Sequence, residues 1–250
     1  MTNIERNLAA VRQRIQLSCH KAGRNSDAVV LLAVSKTVSP EIIRQAVAAG
    51  QRDFGENYIA EGVEKIATLA SETAQYGLQW HCIGPVQSNK TRLVARHFDW
   101  VHTIDRLKIA ERLNDQRPDD AKRLQVCIQV NIDGSRSKSG IAPDEVLAMA
   151  HEIAKLPRLQ LRGIMAIPDL PDAPEISSNG NANFAINNVA IQAIFTPARA
   201  IFDQLNALDF GLDTLSIGMS ADLEPAIQAG STMVRVGTAI FGDRNQGFIF

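Results

Sequence analysis

The chain has 250 residues, with 26 Lys and Arg against 27 Asp and Glu, a formal net charge of -1, and 45% hydrophobic residues. Near-neutral charge without a basic cluster removes the electrostatic case for a nucleic acid or an anionic membrane surface, and no uninterrupted apolar run approaches the roughly 20 residues a membrane helix requires. Glu5, Arg6, Arg12 and Arg14 stand where a secretory leader needs apolar residues, and Cys19, Cys82 and Cys127 are far apart with no CxxC or Cys/His spacing, so a reduced, cytoplasmic protein without a metal site is expected.

Ile4, Leu8, Val11 and Ile15 recur at helical spacing with charges between them, which predicts an amphipathic helix ahead of the first strand. The apolar run VVLLAVS (29–35) reads as a buried strand ending at Lys36, with a helix over 40–49 after it. RDFGENY supplies a second strand, followed by a helix reaching about Leu69. WHCIG (80–84) is a third strand, with Ser88 capping a helix over 89–97. WVHTI (100–104) is a fourth, with Asp105 capping a helix that carries Leu107, Ala110 and Leu113. LQVCIQVNI (124–132) reads as a central strand, and Pro143 occupies the first turn of the next helix, where its missing N–H does no harm. LQLRGIMAI, TLSIGM and TMVRVGTAIF supply three more strands, with helices over 187–208 and 223–229.

Eight βα repeats in about 250 residues fit a closed (β/α)8 TIM barrel of the α/β class with an additional N-terminal helix, as one domain over 1–250. A doubly wound open sheet is the alternative, because periodicity does not report closure, although AVSKTVSP stands where such sheets carry GxGxxG. Residues 168–188, rich in Asn, Pro, Ser and Asp, break the rhythm and read as a long loop after strand six, either a lid or a tolerated surface insertion.

Lys36, at the carboxyl end of a buried strand, is a nucleophile candidate, because burial lowers an amine's pKa toward the range where it attacks carbonyls. A lysine that snorkels to solvent or pairs with a carboxylate is the competing reading. On a barrel the phosphate site commonly follows strands seven and eight. Ser216, Gly218 and Ser220 in SIGMSADLEPA, and Gly237 with Thr238 in RVGTAIFG, combine hydroxyls with glycines that let backbone N–H groups approach an anion. The competing reading is that they serve only turns and helix caps. Arg235 faces into the barrel mouth by strand alternation and needs an acceptor there, either a carboxylate such as Asp133 or Glu56 or a ring nitrogen of a cofactor.

A reactive lysine, a phosphate cup and an arginine for a pyridine nitrogen together describe a site for pyridoxal 5'-phosphate (PLP). LLAVSKT, FGENY, WHCIGPVQSNK, HTIDR, the KSG of Lys138 to Gly140, RGIMAI, LSIGMSADLEPAI and GSTMVRVGTAIFG closely resemble the pyridoxal phosphate homeostasis protein family, single-domain relatives of the alanine racemase barrel. The resemblance runs from about residue 4 to 243. It implies that Lys36 is the Schiff-base lysine, that Arg235 meets the pyridine nitrogen, and that Ser216, Gly237 and Thr238 hold the phosphate. Gly218, Met219 and Ser220 match the loop beside them, and Asn57 matches a position near the ring; His81 is either another such residue or a satisfied core histidine, and Lys138 either a second lysine near the site or a solvated loop lysine. Residues 168–188 exceed the usual connection in length.

An arginine beside the pyridine nitrogen keeps it unprotonated and weakens the ring as an electron sink. Racemising relatives take a second base from an appended domain or a partner subunit, and with the matched block ending seven residues before Phe250 no such domain is expected. The expectation is a monomeric PLP-binding protein of intracellular PLP homeostasis, without catalytic turnover, that holds PLP as an aldimine on Lys36, limits free aldehyde and passes it to PLP-dependent apoenzymes. The alternatives are a PLP-dependent amino acid racemase, for which Tyr58 is a candidate acid or base, and a Schiff-base aldolase on a phosphosugar.

Overall fold

The computed structural model describes residues 1–134, 139–169 and 190–242. Eight parallel strands close in sequence order: β1 (Val30–Val34), β2 (Asp53–Glu56), β3 (Gln79–Cys82), β4 (Trp100–Ile104), β5 (Leu124–Gln129), β6 (Leu159–Met165), β7 (Thr214–Ser216) and β8 (Met233–Val236). β8 returns to pair with β1 from Val30 opposite Met233 to Ala33 opposite Val236. That closure is the (β/α)8 barrel and removes the open-sheet alternative.

The helices include α1 (Asn3–Lys21), α2 (Pro40–Ala48), α3 (Ile59–Thr68), α4 (Ala70–Tyr76), α5 (Thr91–His97), α6 (Leu107–Gln116), α7 (Val146–Ala154), α8 (Thr196–Ala207), α9 (Leu223–Gln228) and α10 (Thr238–Phe241). α1 starts where the Thr2 side chain accepts from the Glu5 N–H at 3.1 Å, and it buries the predicted stripe of Ile4, Leu8, Val11 and Ile15. Each such side chain contributes roughly 1.5–3 kcal/mol on burial, so the stripe holds the helix against the barrel.

Two predicted caps are corrected. α5 begins at Thr91, whose hydroxyl donates to the Ser88 carbonyl, so Ser88 contributes backbone rather than a capping side chain. Asp105 lies one residue before the Arg106 cap position of α6 and pairs with the Arg106 guanidinium at 3.1 Å instead. The helix after β2 ends where expected, with buried Leu69 capping α3, and a second helix that was not anticipated, α4, follows and ends at Gly77, which turns the chain at φ 68. Pro143 opens a 3-10 turn, Pro143–Glu145, that leads into α7. α8 falls inside the predicted 187–208 span.

The main core lies between the strands and the helices, with Leu31, Ala33, Phe54, Trp80, Val101, Ile128, Ile164 and Val234 pointing outward from the wall into the helical layer. A separate cluster of Trp100, Cys127 and Met165 fills part of the barrel's interior with Ile167. The rest of the interior is unusually polar, since barrels mostly fill it with branched apolar residues. His81, His102, Ser216 and Arg235 are all buried there. Among the described residues no helix is long and apolar enough to cross a membrane.

Candidate functional site

A cleft of about 370 Å³ opens at the carboxyl ends of the strands. Of the predicted site residues, Lys36, Asn57, Ser220, Arg235, Gly237 and Thr238 line it, with Met219 beside Ser220 and an apolar wall of Val34, Ile83 and Ile167. Residues at the carboxyl ends of β1, β2, β3, β6, β7 and β8, from Val34 to Thr238 in the sequence, thus converge on one space.

Lys36 is half-buried, two residues beyond the end of β1. A buried network holds its loop. The Lys65 ammonium of α3, itself buried, donates to the Ser35 carbonyl at 2.7 Å and to both Glu56 carboxylate oxygens at 3.0 and 3.1 Å. The Ser35 hydroxyl donates to Glu56 Oε1 at 2.5 Å. Lys65 also pairs with Glu61 at 2.5 Å, and Glu61 accepts the Thr37 N–H at 2.6 Å. Thr37 sits at φ 61, a left-handed conformation that is rare for a β-branched residue. The network therefore grips the backbone on both sides of Lys36 and holds a strained residue directly after it. Burial raises the Glu56 carboxyl above its ordinary value, while Lys65 and the Ser35 hydroxyl pull it back down.

Arg235, 4% exposed, is pinned by three bonds: one N–H₂ group donates to the Ser216 carbonyl at 2.6 Å and hydroxyl at 2.8 Å, and the other to the Ala166 carbonyl at 3.0 Å. Its acceptors are these and neither of the carboxylates considered from sequence; Glu56 belongs to Lys65. Burial lowers Arg235 to about 10, with Asp222 acting in the opposite sense, which leaves a cation at neutral pH.

Ser216 stands below the cleft and does not line it. It is fully buried, with its hydroxyl between Arg235 and His102. Gly218 also lies off the wall. It adopts φ 92, its carbonyl accepts the Arg235 backbone N–H at 3.0 Å, and a Cβ there would come within 2.4 Å of Ala226. It shapes the loop that presents Met219 and Ser220.

The two loops expected to cradle an anion are fixed from outside by α1. Arg14 donates to the Ser220 carbonyl at 3.0 Å while its guanidinium forks onto Glu224 at 2.7 and 2.9 Å. Asn7 donates to the Ile240 carbonyl at 2.9 Å. Gly237 is the cap residue of α10, whose first N–H groups have no intrahelical acceptor and face outward from the helix start. Across the cleft, Asn57 is positioned by Gly84, where a Cβ would fall 2.0 Å from the Asn57 carbonyl. The Asn57 side-chain oxygen is buried without a hydrogen-bond partner, an unmet acceptor on a residue of the cleft wall.

The chain matches the family model "Alanine racemase, N-terminal domain" over residues 4–245. It is 50% identical over 246 residues to the pyridoxal phosphate homeostasis protein of Vibrio cholerae, covering 98% of both chains. It is 52% identical over 244 residues to that of Pasteurella multocida, covering 97% of this chain and 98% of the other. The chain belongs to the pyridoxal phosphate homeostasis protein family. A solved structure similar to it is PipY of Synechococcus elongatus with PLP bound, 34% identical with a TM-score of 0.74, covering 96% of this chain and 100% of that one.

Within this member of the pyridoxal phosphate homeostasis protein family, His81 is fully buried inside the barrel and takes no part in the cleft wall, the core alternative of the two readings for it. Lys138 and residues 170–189 lie outside the described residues. Sequence reasoning missed Lys65, His102 and Arg14, which act on the site through other residues. Lys65 alone carried a legible signal: it sits four residues after Glu61, on the helical face that its burial turns inward.

Proposed function

We propose that this chain, as a member of the pyridoxal phosphate homeostasis protein family, binds PLP in the cleft between Lys36, Arg235 and the α10 start, within a single domain. Lys36 is the point of covalent attachment, and the protein holds the cofactor without turnover. In this reading it is a cytoplasmic monomer that limits free aldehyde and releases PLP to apoenzymes. The observation that carries the reading is the convergence of Lys36, Arg235, Ser220, Gly237 and Thr238 on one cleft with an unmet Asn57 amide oxygen in its wall. When bound, PLP supplies an electrophilic aldehyde and an electron-withdrawing ring.

Ser220, Gly237 and Thr238 would hold the phosphate through hydroxyl and backbone donors, and Asn57 would meet a polar edge of the ring. Arg235 would meet the ring nitrogen. A fixed guanidinium is a permanent donor that opposes protonation of that nitrogen, which weakens carbanion stabilisation. Among the described residues of the wall, Lys36 and Arg235 are the ionisable ones, and Tyr58, the racemase candidate, is 58% exposed and outside the wall. Both observations favour retention over racemisation, which requires a second acid or base at the substrate carbon.

The test is an absorbance spectrum of the purified protein with added PLP, before and after borohydride reduction, followed by peptide mapping. A pyridoxyl mass on the Lys36 peptide is expected. No binding, or label confined to other lysines, would overturn the assignment.

A further inference from the structure

A continuous hydrogen-bonded file crosses the barrel interior from the opposite end to the cofactor cleft. Asp53, the first residue of β2, reaches the mouth at the amino ends of β1 and β2, where it lines a second cleft with Arg52, Val30 and Leu31. Its carboxylate lies 3.2 Å from His81 Nε2. His81 Nδ1 lies 3.0 Å from His102 Nε2, and His102 Nδ1 lies 3.1 Å from Ser216 Oγ. Ser216 Oγ accepts from Arg235 at 2.8 Å. Both rings and Ser216 are fully buried, and all four ring nitrogens are accounted for within the file.

The proton positions follow from counting donors. A neutral imidazole has one donor and one acceptor, a carboxylate only accepts, and a hydroxyl has one proton to give. Burial, then His81 and Arg235, hold His102 well below the ordinary histidine value, so that ring is neutral. Starting from the Asp53 carboxylate, His81 donates through Nε2 and accepts at Nδ1. His102 then donates through Nε2 and accepts at Nδ1, and the Ser216 hydroxyl donates to it. Reversing the file turns a lone pair of His81 toward the carboxylate and leaves the Ser216 proton without an acceptor beside a guanidinium. A doubly protonated His81 would add a second buried cation to a barrel that already encloses Arg235, and by donating to His102 Nε2 it would leave the Ser216 proton without its His102 acceptor as well.

We infer that Asp53 is a positioning residue for the cofactor site: it fixes the direction of the file through His81 and His102, so that the Ser216 hydroxyl proton is committed away from Arg235 and its oxygen is held as an acceptor for the guanidinium. Three of the five guanidinium N–H donors are then bound to Ser216 and Ala166, which leaves two for a ligand. The effect on cofactor binding rests on the PLP reading above; the direction of the file does not.

The experiment is nitrogen-15 NMR of the histidine rings in the cofactor-free protein, where chemical shifts and ring couplings separate the two neutral tautomers from the imidazolium. Wild type is expected to show both His81 and His102 protonated at Nε2 alone. In Asp53→Asn, whose amide can donate, the Nδ1–H form is expected to appear in both rings. PLP titration of the same variant is expected to show about tenfold weaker binding, the scale of a weakened hydrogen bond to a charged group, with Lys36 still labelled by borohydride. Asp53→Glu is expected to restore the wild-type tautomers. An Nδ1–H tautomer or an imidazolium in the wild type would overturn the inference, as would unchanged tautomers in Asp53→Asn. Wild-type protein with the expected tautomers but no affinity for PLP would refute the cofactor reading and leave the file standing.

Discussion

Arg235 concentrates the site's chemistry in one side chain, because the same guanidinium ties three strand ends together and faces the cleft. Arg235→Gln keeps a donor and much of the length but removes the charge and the fork. PLP affinity is expected to fall at least about tenfold, since hydrogen bonds to charged groups contribute roughly 1.5–3 kcal/mol, and the absorbance maximum of the bound cofactor should move. Titration followed by absorbance decides this, and an unchanged affinity and spectrum would remove the ring-nitrogen role. At this scale the sequence was informative about residues that touch the cleft: Lys36, Asn57, Ser220, Arg235, Gly237 and Thr238 were legible from strand ends, turn chemistry and motif resemblance. It did not separate the depth of Ser216 and His81 from that of the wall residues, because motif position does not say whether a side chain reaches the surface of a cleft or is hydrogen-bonded beneath it. Ser216 ends its strand one layer too deep, with both neighbours already hydrogen-bonded to it.

Among elements, the junction of β1, β2 and α3 presents Lys36, and Lys65 is its keystone. Lys65→Met leaves the buried Glu56 carboxyl with the Ser35 hydroxyl as its remaining partner, and breaking a buried pair from one side costs about 3–5 kcal/mol. A carboxyl whose folded pKa is raised stabilises the fold below its unfolded pKa and loses that contribution as pH rises through the folded value. Removing the ammonium raises Glu56 further, so the destabilisation should be larger at about pH 8 than at about pH 5. Denaturant unfolding of Lys65→Met against wild type at the two pH values measures it; equal losses would mean that Glu56 does not carry the effect. The elements themselves were readable because parallel barrel strands are continuous apolar runs and the helices between them keep their period. Their ends were not. Val130 forms only a single bridge to Ile141, and Ile217 to Met219 leave the sheet as a loop, because apolar residues beyond the last ladder bond pack like those within it. The end of α3 near Leu69 was legible, but α4 was not, because Ala70–Tyr76 buries no residue and so carries no apolar period.

For the whole molecule, closure makes β1 and β8 neighbours, so residues near the two ends of the chain share one ladder and neither the wall nor the cleft exists without both. We expect the barrel to open as a unit, and the cysteines can report it from either side of the wall. Cys82 on β3 points into the layer between strands and helices, and Cys127 on β5 points into the interior beside Trp100 and Met165. Both are fully buried, and burial pushes both thiols up to about 12, so neither offers a thiolate at neutral pH. Alkylation in increasing denaturant should therefore label the two residues with one midpoint, coincident with loss of helical circular dichroism. Earlier labelling of Cys127 would mean that the interior admits solvent while the helical layer is intact, and the single-unit reading would fail. Added PLP should move both midpoints together, because a ligand that binds only the folded chain stabilises it by about 2.7 kcal/mol at a hundredfold excess over its Kd. A shift confined to one cysteine would place the cofactor's stabilising effect in only part of the barrel, which the ladder between β8 and β1 forbids.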